Sequence, residues 1–166
     1  NYAIKPQFEE AEPFADGYAY VKKVSITLHG RVEEYGTIDK TGKIVIPGKL
    51  EEQTKFATNG LALSTQQGRG KDGFVDKTGE YVIPPVYSCA YEFADNGLAA
   101  ADGINLEDGW GYIDKTGRYA IAPKFYDAST FADNGLAVVE DKNGLYGYID
   151  ETGNYVIQPQ FYDAED

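Results

Sequence analysis

Short apolar and aromatic runs alternate with turn-forming residues along the chain, a pattern typical of β-strands joined by tight turns. The clearest stretch has apolar runs at 135–139, 146–149 and 155–157, separated by D-K-N-G at 141–144 and D-E-T-G at 150–153. Asn-Gly between apolar runs is typical of a hairpin, and a turn that ends in glycine tolerates a positive φ. This stretch therefore predicts three antiparallel strands in a meander.

The residues after the third strand form a connector to the next meander. Proline has no N–H for a ladder, so we expect the third strand to end at Pro159. An aromatic residue or Leu four positions after the isoleucine of the third strand is expected to fill the joint between neighbouring units. Each connector then has an aromatic residue, alanine and a glycine-containing turn, which predict a compact corner, with a single helical turn as one form of it. These connector aromatics are Phe14, Phe56, Phe93 and Phe131.

The meander recurs with a nearly constant period. Four segments of similar sequence begin at Gly36, Gly73, Gly111 and Gly147, which lie 36 to 38 residues apart, and each ends in Asp, Lys or Glu, Thr and Gly. A period of about 20–50 residues is typical of repeats that bury their apolar faces against their neighbours. We therefore predict an all-β fold, a tandem repeat of three-stranded antiparallel meanders in an open solenoid-like array, with a β-propeller as the alternative.

The repeat also predicts the domain organisation. Residues 1–8 match residues 154–161, so the two ends fall at the same point of the repeat, and the chain begins without methionine or a signal peptide. We therefore expect a fragment of a longer protein. The prediction is a single repeat domain over residues 1–166, with a partial unit at 1–34, units near 35–71, 72–109 and 110–145, and a partial unit at 146–166.

The charge and hydrophobicity of the chain argue against some classes of binding partner. The chain has 27 Asp and Glu residues against 15 Lys and Arg, for a formal net charge of −12. Because like charges repel, we expect neither nucleic acid nor an anionic membrane surface as a partner. No apolar run approaches the roughly 18 residues of a membrane helix, so we also expect no membrane insertion.

The repeated aspartates are the first candidate site. Asp and backbone carbonyl oxygens suit Ca2+, but each unit supplies only one acidic ligand. An aspartate that caps its own turn by accepting backbone N–H bonds explains the pattern better. We therefore predict capping, no metal site and no cofactor at Asp39, Asp76, Asp114 and Asp150.

Catalytic chemistry has little support. The only cysteine, Cys89, lies between Ser88 and Ala90 without a basic neighbour, and it is expected to be a small buried apolar residue. One cysteine also excludes an internal disulfide and a cysteine-cluster zinc site. Carboxylate pairs such as Glu33-Glu34 fall in loop positions, not in the desolvated pocket that a hydrolytic acid needs. We predict that the protein is not an enzyme and has no catalytic residues.

Binding candidates come from the aromatic rows and from the irregular tips between the first and second strands. The first tip is long enough for an extended ribbon from Val21 to Glu34, and the second carries the basic segment 66–71. Insertions in repeat proteins map to loops on one face, often the binding face. Aromatic rows can instead form the core, and the lone histidine can be an exposed loop residue. The candidate ligand-binding residues are Tyr112, Tyr148, Trp110, Arg69 and His29.

The full pattern W/Y-G-Y-I-D-K-T-G-x-Y-V-I-x-P-x-F-x-x-A-x-x-F-x-x-G-L-A resembles the WG (KWG) repeat of bacterial proteins and covers essentially the whole chain. The Trp-Gly pair itself occurs once, at Trp110-Gly111, while Tyr35 and Tyr146 keep an aromatic residue there and Asp72 does not. The resemblance implies a β-rich repeat module, often found in multidomain bacterial proteins. It brings no established catalytic residues.

The sequence thus predicts a non-catalytic repeat module that binds a protein or a cell-envelope glycan, whose identity stays open. A structural spacer that presents another domain is the alternative, and a hydrolase has less support. The expected location is the bacterial cell surface or the exterior of the cell.

Overall fold

A computed structural model of the chain describes residues 4–14, 17–28, 30–47, 56–66, 70–103 and 109–162. The regular elements in these ranges are β-strands, and none of the described residues form a helix long and apolar enough to cross a membrane. The strands are β1 Glu10–Ala11, β2 Tyr18–Thr27, β3 Gly30–Asp39, β4 Ile44–Pro47, β5 Ala62–Gln66, β6 Lys71–Val75, β7 Tyr81–Tyr87, β8 Ala99–Asp102, β9 Trp110–Ile113, β10 Tyr119–Phe125, β11 Asp127–Ala128, β12 Ala137–Glu140, β13 Tyr146–Ile149 and β14 Tyr155–Phe161.

The strands form four small antiparallel sheets, one for each meander of the repeat. The first sheet has the order β1-β2-β3-β4, the second β5-β6-β7, the third β8-β9-β10 and the fourth β11-β12-β13-β14. Each sheet contains the predicted three-stranded meander, and none of these described sheets closes into a barrel. The prediction of an all-β tandem repeat is therefore confirmed.

The connector carries the chain from one sheet into the next. After β10 ends at Phe125 in the third sheet, β11 pairs with β12 of the fourth sheet, where Ala128 lies opposite Val139. In the same way Ala90 follows β7 and lies opposite Ala101 of β8. These two connectors therefore each add a short edge to the sheet that follows, which ties consecutive sheets together by backbone hydrogen bonds.

The turn between the second and third strands forms as its residues predict. In the third sheet the Gly117 N–H donates to the carbonyl of Asp114 at 2.9 Å, and the Asp114 N–H donates to the carbonyl of Arg118 at 2.8 Å. Gly117 has a φ of 78°, a left-handed value that L side chains rarely adopt. The glycine that ends this turn is therefore required by the backbone.

In the second, third and fourth sheets proline does not end the third strand, contrary to the sequence-based expectation. In the third sheet Ile121 pairs with Tyr112 and Phe125 pairs with Trp110, so residues 122–124 bulge opposite the single residue Gly111. Proline is tolerated in such a bulge because no ladder bond is required of its nitrogen. β14 likewise runs through Pro159 to Phe161, with a register shift beyond Ile157.

The bulge explains why glycine occupies the second position of the Trp-Gly pair. A Cβ atom at Gly111 would lie 2.6 Å from the carbonyl oxygen of Ile121 and 2.7 Å from the nitrogen of Pro123. Gly73 and Gly147 meet the bulges of β7 and β14 in the same way. Any side chain at these positions would push the third strand away from the second.

The corner of the connector is a reverse turn, so the expectation of a single helical turn is wrong for the described connectors. The Gly135 N–H donates to the carbonyl of Ala132, and the Ala132 N–H donates to the carbonyl of Leu136, both at 2.9 Å. Asn134 Oδ1 accepts the Leu136 N–H at 2.9 Å. The corner thus uses the same pattern as the strand turns, with Asn as the capping residue.

Consecutive sheets pack through a repeated contact that we call the joint. The isoleucine of a third strand lies against the turn glycine of the next unit, Ile83 against Gly117 and Ile121 against Gly153. A Cβ atom at Gly153 would lie only 2.7 Å from Cγ2 of Ile121. Buried clusters accordingly join the second sheet to the third and the third to the fourth, as in stacked repeats.

The residue four positions after the isoleucine completes the joint, as predicted. Tyr87 is buried and donates its hydroxyl hydrogen bond to the carbonyl of Gly117 at 3.0 Å. Phe125 is also buried but has no hydroxyl group, and there the Lys124 Nζ donates to the carbonyl of Gly153 at 2.9 Å. The turn carbonyl therefore receives a hydrogen bond across each of these joints from a different side chain.

Candidate functional site

Three of the five candidate ligand-binding residues lie in the described part of the chain. His29 and Arg69 fall outside the described residues. Tyr112 is buried, its ring centroid lies 4.7 Å from that of Phe131, and its hydroxyl donates to the carbonyl of Ser129 at 2.8 Å. A surface ligand cannot reach Tyr112 unless the core opens, so this side chain serves packing and leaves the set of candidates.

Tyr148 and Trp110 are both half-buried but belong to different sheets. Tyr148 lies in β13 of the fourth sheet, where its ring is edge-on to Phe161 with centroids 6.4 Å apart. Trp110 begins β9 of the third sheet, opposite Asp102 of β8 and Phe125 of β10. The structure therefore does not bring the two aromatic candidates together into one site.

Trp110 forms an aromatic platform with a residue that the sequence did not single out. Its ring stacks on Tyr91, with centroids 5.4 Å apart and an interplanar angle of 23°. Tyr91 is 42% exposed, and its N–H donates to the carbonyl of Ala100 at 2.9 Å, which fixes its backbone beside β8. Tyr91 could have been recognised in the sequence as a departure from the repeat, because the corresponding residue in the next connector is Ser129.

A second exposed surface lies at the end of the predicted ribbon, which the structure confirms. β2 and β3 pair continuously from Tyr18 opposite Asp39 to Thr27 opposite Gly30. Near the end of this hairpin Ile26 is 81% exposed, Leu28 is fully exposed and Val32 is also exposed. Val32 lies opposite Ser25, so its side chain points to the other face of the ribbon from Ile26. We call Ile26 and Leu28 the ribbon tip. They are apolar groups that the fold itself does not bury, which is the informative departure from an ordinary surface.

A group of charges lies along the ribbon, from Lys22 near its base to Arg31 beside its tip. Arg31 Nη2 lies 3.0 Å from Glu9 and 3.1 Å from Glu33, and Lys22 Nζ lies 3.5 Å from both Glu10 and Glu33. A single exposed ion pair contributes little, but several that share partners restrict the ribbon more effectively. The network ties β2 and β3 to β1 and to Glu9, and it reaches the tip, where Arg31 lies opposite Ile26.

The repeated aspartates cap their turns. Asp114 Oδ1 accepts hydrogen bonds from the Thr116 N–H at 2.7 Å, the Thr116 hydroxyl at 2.6 Å and the Arg118 N–H at 3.2 Å. The hydrogen bond from the Thr116 side chain is the main reason that the pKa of Asp114 is lowered, against a smaller opposing effect of burial. Equivalent bonds are made by Asp39, Asp76 and Asp150.

The carboxylate of Asp72 and the thiol of Cys89 do not gather with other such groups into a chemical site within the described ranges. Asp72 is buried and accepts hydrogen bonds from the Ala90 N–H at 2.9 Å and the Thr65 hydroxyl at 2.7 Å. Cys89 is exposed, so the expectation of a buried apolar residue is wrong. The connector places its neighbour Ala90 inward instead. Across the described ranges, no three His, Cys, Asp or Glu side chains lie together in an arrangement that could hold a metal ion.

The fold and these surfaces define a tandem β-repeat protein, built from meanders that stack through a glycine turn and that display irregular edges. Comparison with protein-family models places the matches on residues 1–23, 35–63, 73–101, 110–146 and 146–166, all to the WG containing repeat. These matches span most of the chain, and the protein belongs to the WG-containing repeat family. No curated protein matches the chain.

Proposed function

We propose that this chain is a non-catalytic binding module that recognises a protein through the ribbon tip. The observation that carries the proposal is the exposure of Ile26 and Leu28 at the end of a long hairpin that a network of ion pairs restrains. Burying one large aliphatic side chain contributes about 1.5–3 kcal/mol. Ile26 and Leu28 together therefore contribute about 3–6 kcal/mol, and contacts around them must offset the rest of the association cost of about 4–15 kcal/mol.

The charge of the chain favours a partner with a basic surface. The formal net charge is −12, so a basic protein is steered towards the module and an acidic one is repelled. Along the ribbon Arg31 and Lys22 are paired with Glu9, Glu10 and Glu33, so these cations do not form a separate basic patch. The expected partner surface is an apolar depression with a basic rim.

The first test compares capture by the wild type with capture by Ile26→Ser/Leu28→Ser, from an extract of the bacterial envelope. These substitutions keep the hairpin and remove its apolar end, so we expect the specific partner to be lost. Val82→Ser is the matched control, because Val82 is an exposed valine of β7 on the scaffold. Equal capture of the same proteins by all three chains would remove the ribbon tip from the binding site.

A second variant tests whether the ribbon is separable from the fold. Replacing Lys23–Glu34 by Asn-Gly shortens the hairpin and keeps Lys22 opposite Tyr35. Long surface loops change stability only slowly with their length. We expect a folded chain, by circular dichroism, that no longer captures the partner. If the wild type captures nothing specific under the same conditions, the role of a structural spacer becomes the better proposal.

A neutral glycan is the second candidate ligand, favoured by the platform of Tyr91 and Trp110. A sugar ring can pack its apolar face on an exposed aromatic ring, and Tyr91 offers such a ring, held by its stack on Trp110. Trp110 is the only tryptophan, so its fluorescence reports binding directly. Soluble cell-wall fragments should cause a saturable spectral change that Tyr91→Ala abolishes. An unchanged spectrum at high fragment concentration would exclude this candidate.

A further inference from the structure

Asparagine precedes glycine at four places in the chain, and such pairs can rearrange in water without an enzyme. The main-chain nitrogen of the glycine attacks the side-chain amide of the asparagine, because glycine has no side chain to hinder the approach, and asparagine is thermolabile for this reason. All four pairs are followed by leucine, and their glycines have nearly the same φ, between 77° and 82°. The pairs are Asn59-Gly60, Asn96-Gly97, Asn134-Gly135 and Asn143-Gly144.

Three of the pairs lie in the corners of connectors, where neighbouring side chains belong to the core. A buried residue stands beside the pair in each corner: Leu61 beside Asn59, Phe93 beside Asn96 and Phe131 beside Asn134. Nδ2 of Asn59 is itself buried. Opening a corner therefore brings core side chains into water, which the hydrophobic effect opposes.

The fourth pair lies in the turn between β12 and β13, and none of residues 141–145 belongs to the buried clusters of the described chain. Asn143 and Gly144 are both exposed. Asp141 Oδ1 accepts the N–H groups of Asn143 at 2.8 Å and Leu145 at 3.0 Å. The Gly144 N–H donates to the carbonyl of Asp141 at 3.1 Å. Because only these local bonds close the turn, it can open without separating the sheets.

We propose that Asn143-Gly144 is a site of spontaneous modification, at which local opening of the turn lets Asn143 convert to aspartate or isoaspartate while the corners are protected. In the open turn the Gly144 nitrogen gives its proton to solvent and bonds to Cγ of Asn143, and the side-chain amide leaves as ammonia. Water then opens the five-membered imide. Attack of water at Cγ gives aspartate, and attack at the main-chain carbonyl carbon gives isoaspartate, in which the chain continues through the side chain.

The product does not rebuild the turn. Asn143 Nδ2 donates to Asp141 Oδ2 at 3.0 Å, so the aspartate product sets two carboxylates against each other, and like charges at such a distance disfavour the ionised forms. The N–H of Leu145 is the main cause that lowers the pKa of Asp141, and the amide of Asn143 adds to that effect. Isoaspartate instead lengthens the main chain between Asp141 and Gly144, which moves the donor away from its carbonyl. Modification therefore loosens the hairpin of the fourth sheet.

The corners provide a comparison in which the aspartate product keeps its role. Asn134 Oδ1 accepts the Leu136 N–H at 2.9 Å, and a carboxylate accepts the same bond. Asp150 shows this directly, because its Oδ1 accepts the Thr152 N–H at the same separation of two residues. The same change of amide to carboxylate is therefore expected to open the turn at Asn143 and to leave the corner at Asn134 closed.

The rate of modification at each pair tests the proposal on the 166-residue chain. The purified protein is kept warm at mildly alkaline pH, and mass spectrometry of its peptides follows the conversion of each asparagine. In buffer we expect Asn143 to convert at least about tenfold faster than Asn134, because the tip turn opens locally and the corner does not. In urea that unfolds the chain, the two rates should converge, since both turns are then open.

Two results would overturn the protection of the corners. One is an equal rate at Asn143 and Asn134 in buffer, or a faster rate at Asn134. The other is a difference that persists unchanged in urea, because the residues around each pair, and not the folded turns, would then set the rates.

The consequence for the fold is tested with three variants. Asn143→Thr gives the turn the sequence D-K-T-G, which the chain already uses at Asp39, so this variant should fold and should keep its urea midpoint during an incubation in which the wild type loses stability. Asn143→Asp should have a lower midpoint than Asn134→Asp, which carries the same added charge. Equal loss of stability by Asn143→Thr and the wild type, or equal midpoints of the two aspartate variants, would show that modification at Asn143 does not loosen the fourth sheet.

Discussion

Replacing Gly153 with alanine tests whether the glycine turn holds neighbouring units together or serves only its own hairpin. Gly97 is the matched control, because it has nearly the same backbone angle, with φ of 82° against 81° for Gly153. No atom lies within 4 Å of a Cβ at Gly97, whereas at Gly153 that atom would be 2.7 Å from Cγ2 of Ile121. The two substitutions therefore share the backbone strain and differ in the joint.

The expected losses of stability follow from the backbone strain and from the contact at the joint. An alanine in the left-handed region costs about 1–2 kcal/mol, which is the whole effect expected for Gly97→Ala. Overpacking a well-packed contact costs about 1–3 kcal/mol more, so we expect Gly153→Ala to lower the free energy of unfolding by about 2–5 kcal/mol. Urea unfolding, followed by circular dichroism, measures both values on the same chain.

A double-mutant cycle with Ile121→Ala locates the extra cost. Removing the Ile121 side chain removes the atoms that the new Cβ would meet, so Gly153→Ala should then cost only the strain of about 1–2 kcal/mol. The reasoning is refuted if Gly153→Ala and Gly97→Ala destabilise the chain equally. It is refuted as well if the cost of Gly153→Ala is the same with and without Ile121.

Three further predictions concern the core and the capped turns. Ile113 is fully buried, so Ile113→Ala should lower the free energy of unfolding by about 2–4 kcal/mol in urea, and an unchanged midpoint would place that face in solvent. The folded state lowers the pKa of Asp114 below its ordinary 3.8, so the stability from this cap is present above pH 3.8 and lost as pH falls further; a wild type no more acid-sensitive than Asp114→Asn would contradict this. Calcium should leave the melting temperature unchanged, because the carboxylates already accept bonds from their own turns, and a rise reversed by chelator would overturn the capping assignment.

The parts of the fold that local chemistry determines could be predicted from the sequence. A turn of four or five residues depends on its own side chains, and Asp150 accepts the N–H groups of Thr152 and Asn154 within that short span. The alternation of apolar runs and turns likewise predicts the meander, since neighbouring strands are also neighbours in the chain. The third-strand aromatics Tyr87 and Phe125 could be assigned to the joint for the same reason, because they recur at a constant distance from each turn.

The remaining features depend on contacts that the sequence does not encode locally. Pro123 lies in a bulge because Gly111 on the adjacent strand has no side chain, and neither residue reveals the pairing by itself. The burial of Tyr112 depends on Phe131 in the following connector, and the stack of Trp110 depends on Tyr91 in the preceding one. A repeated position therefore predicts a shared backbone setting, but it does not predict which neighbour covers the side chain.

Comparison of the repeats helps to separate residues that serve the fold from residues that serve binding. Where a residue differs from its counterparts in the other repeats, a second residue can be seen to take over the lost contact. Phe125 lacks the hydroxyl that Tyr87 uses across its joint, and Lys124 supplies the missing donor.

Asp72 replaces the aromatic residue of the Trp-Gly position, and its carboxylate accepts the N–H of Ala90 and the hydroxyl of Thr65. In both cases, contacts within the fold compensate for the changed residue. Leu28 and Ile26 differ in kind, because they add apolar side chains that the described residues leave in solvent. A departure that the scaffold does not use leaves apolar area for another molecule to bury, and the ribbon tip is therefore the place where a partner is proposed to bind.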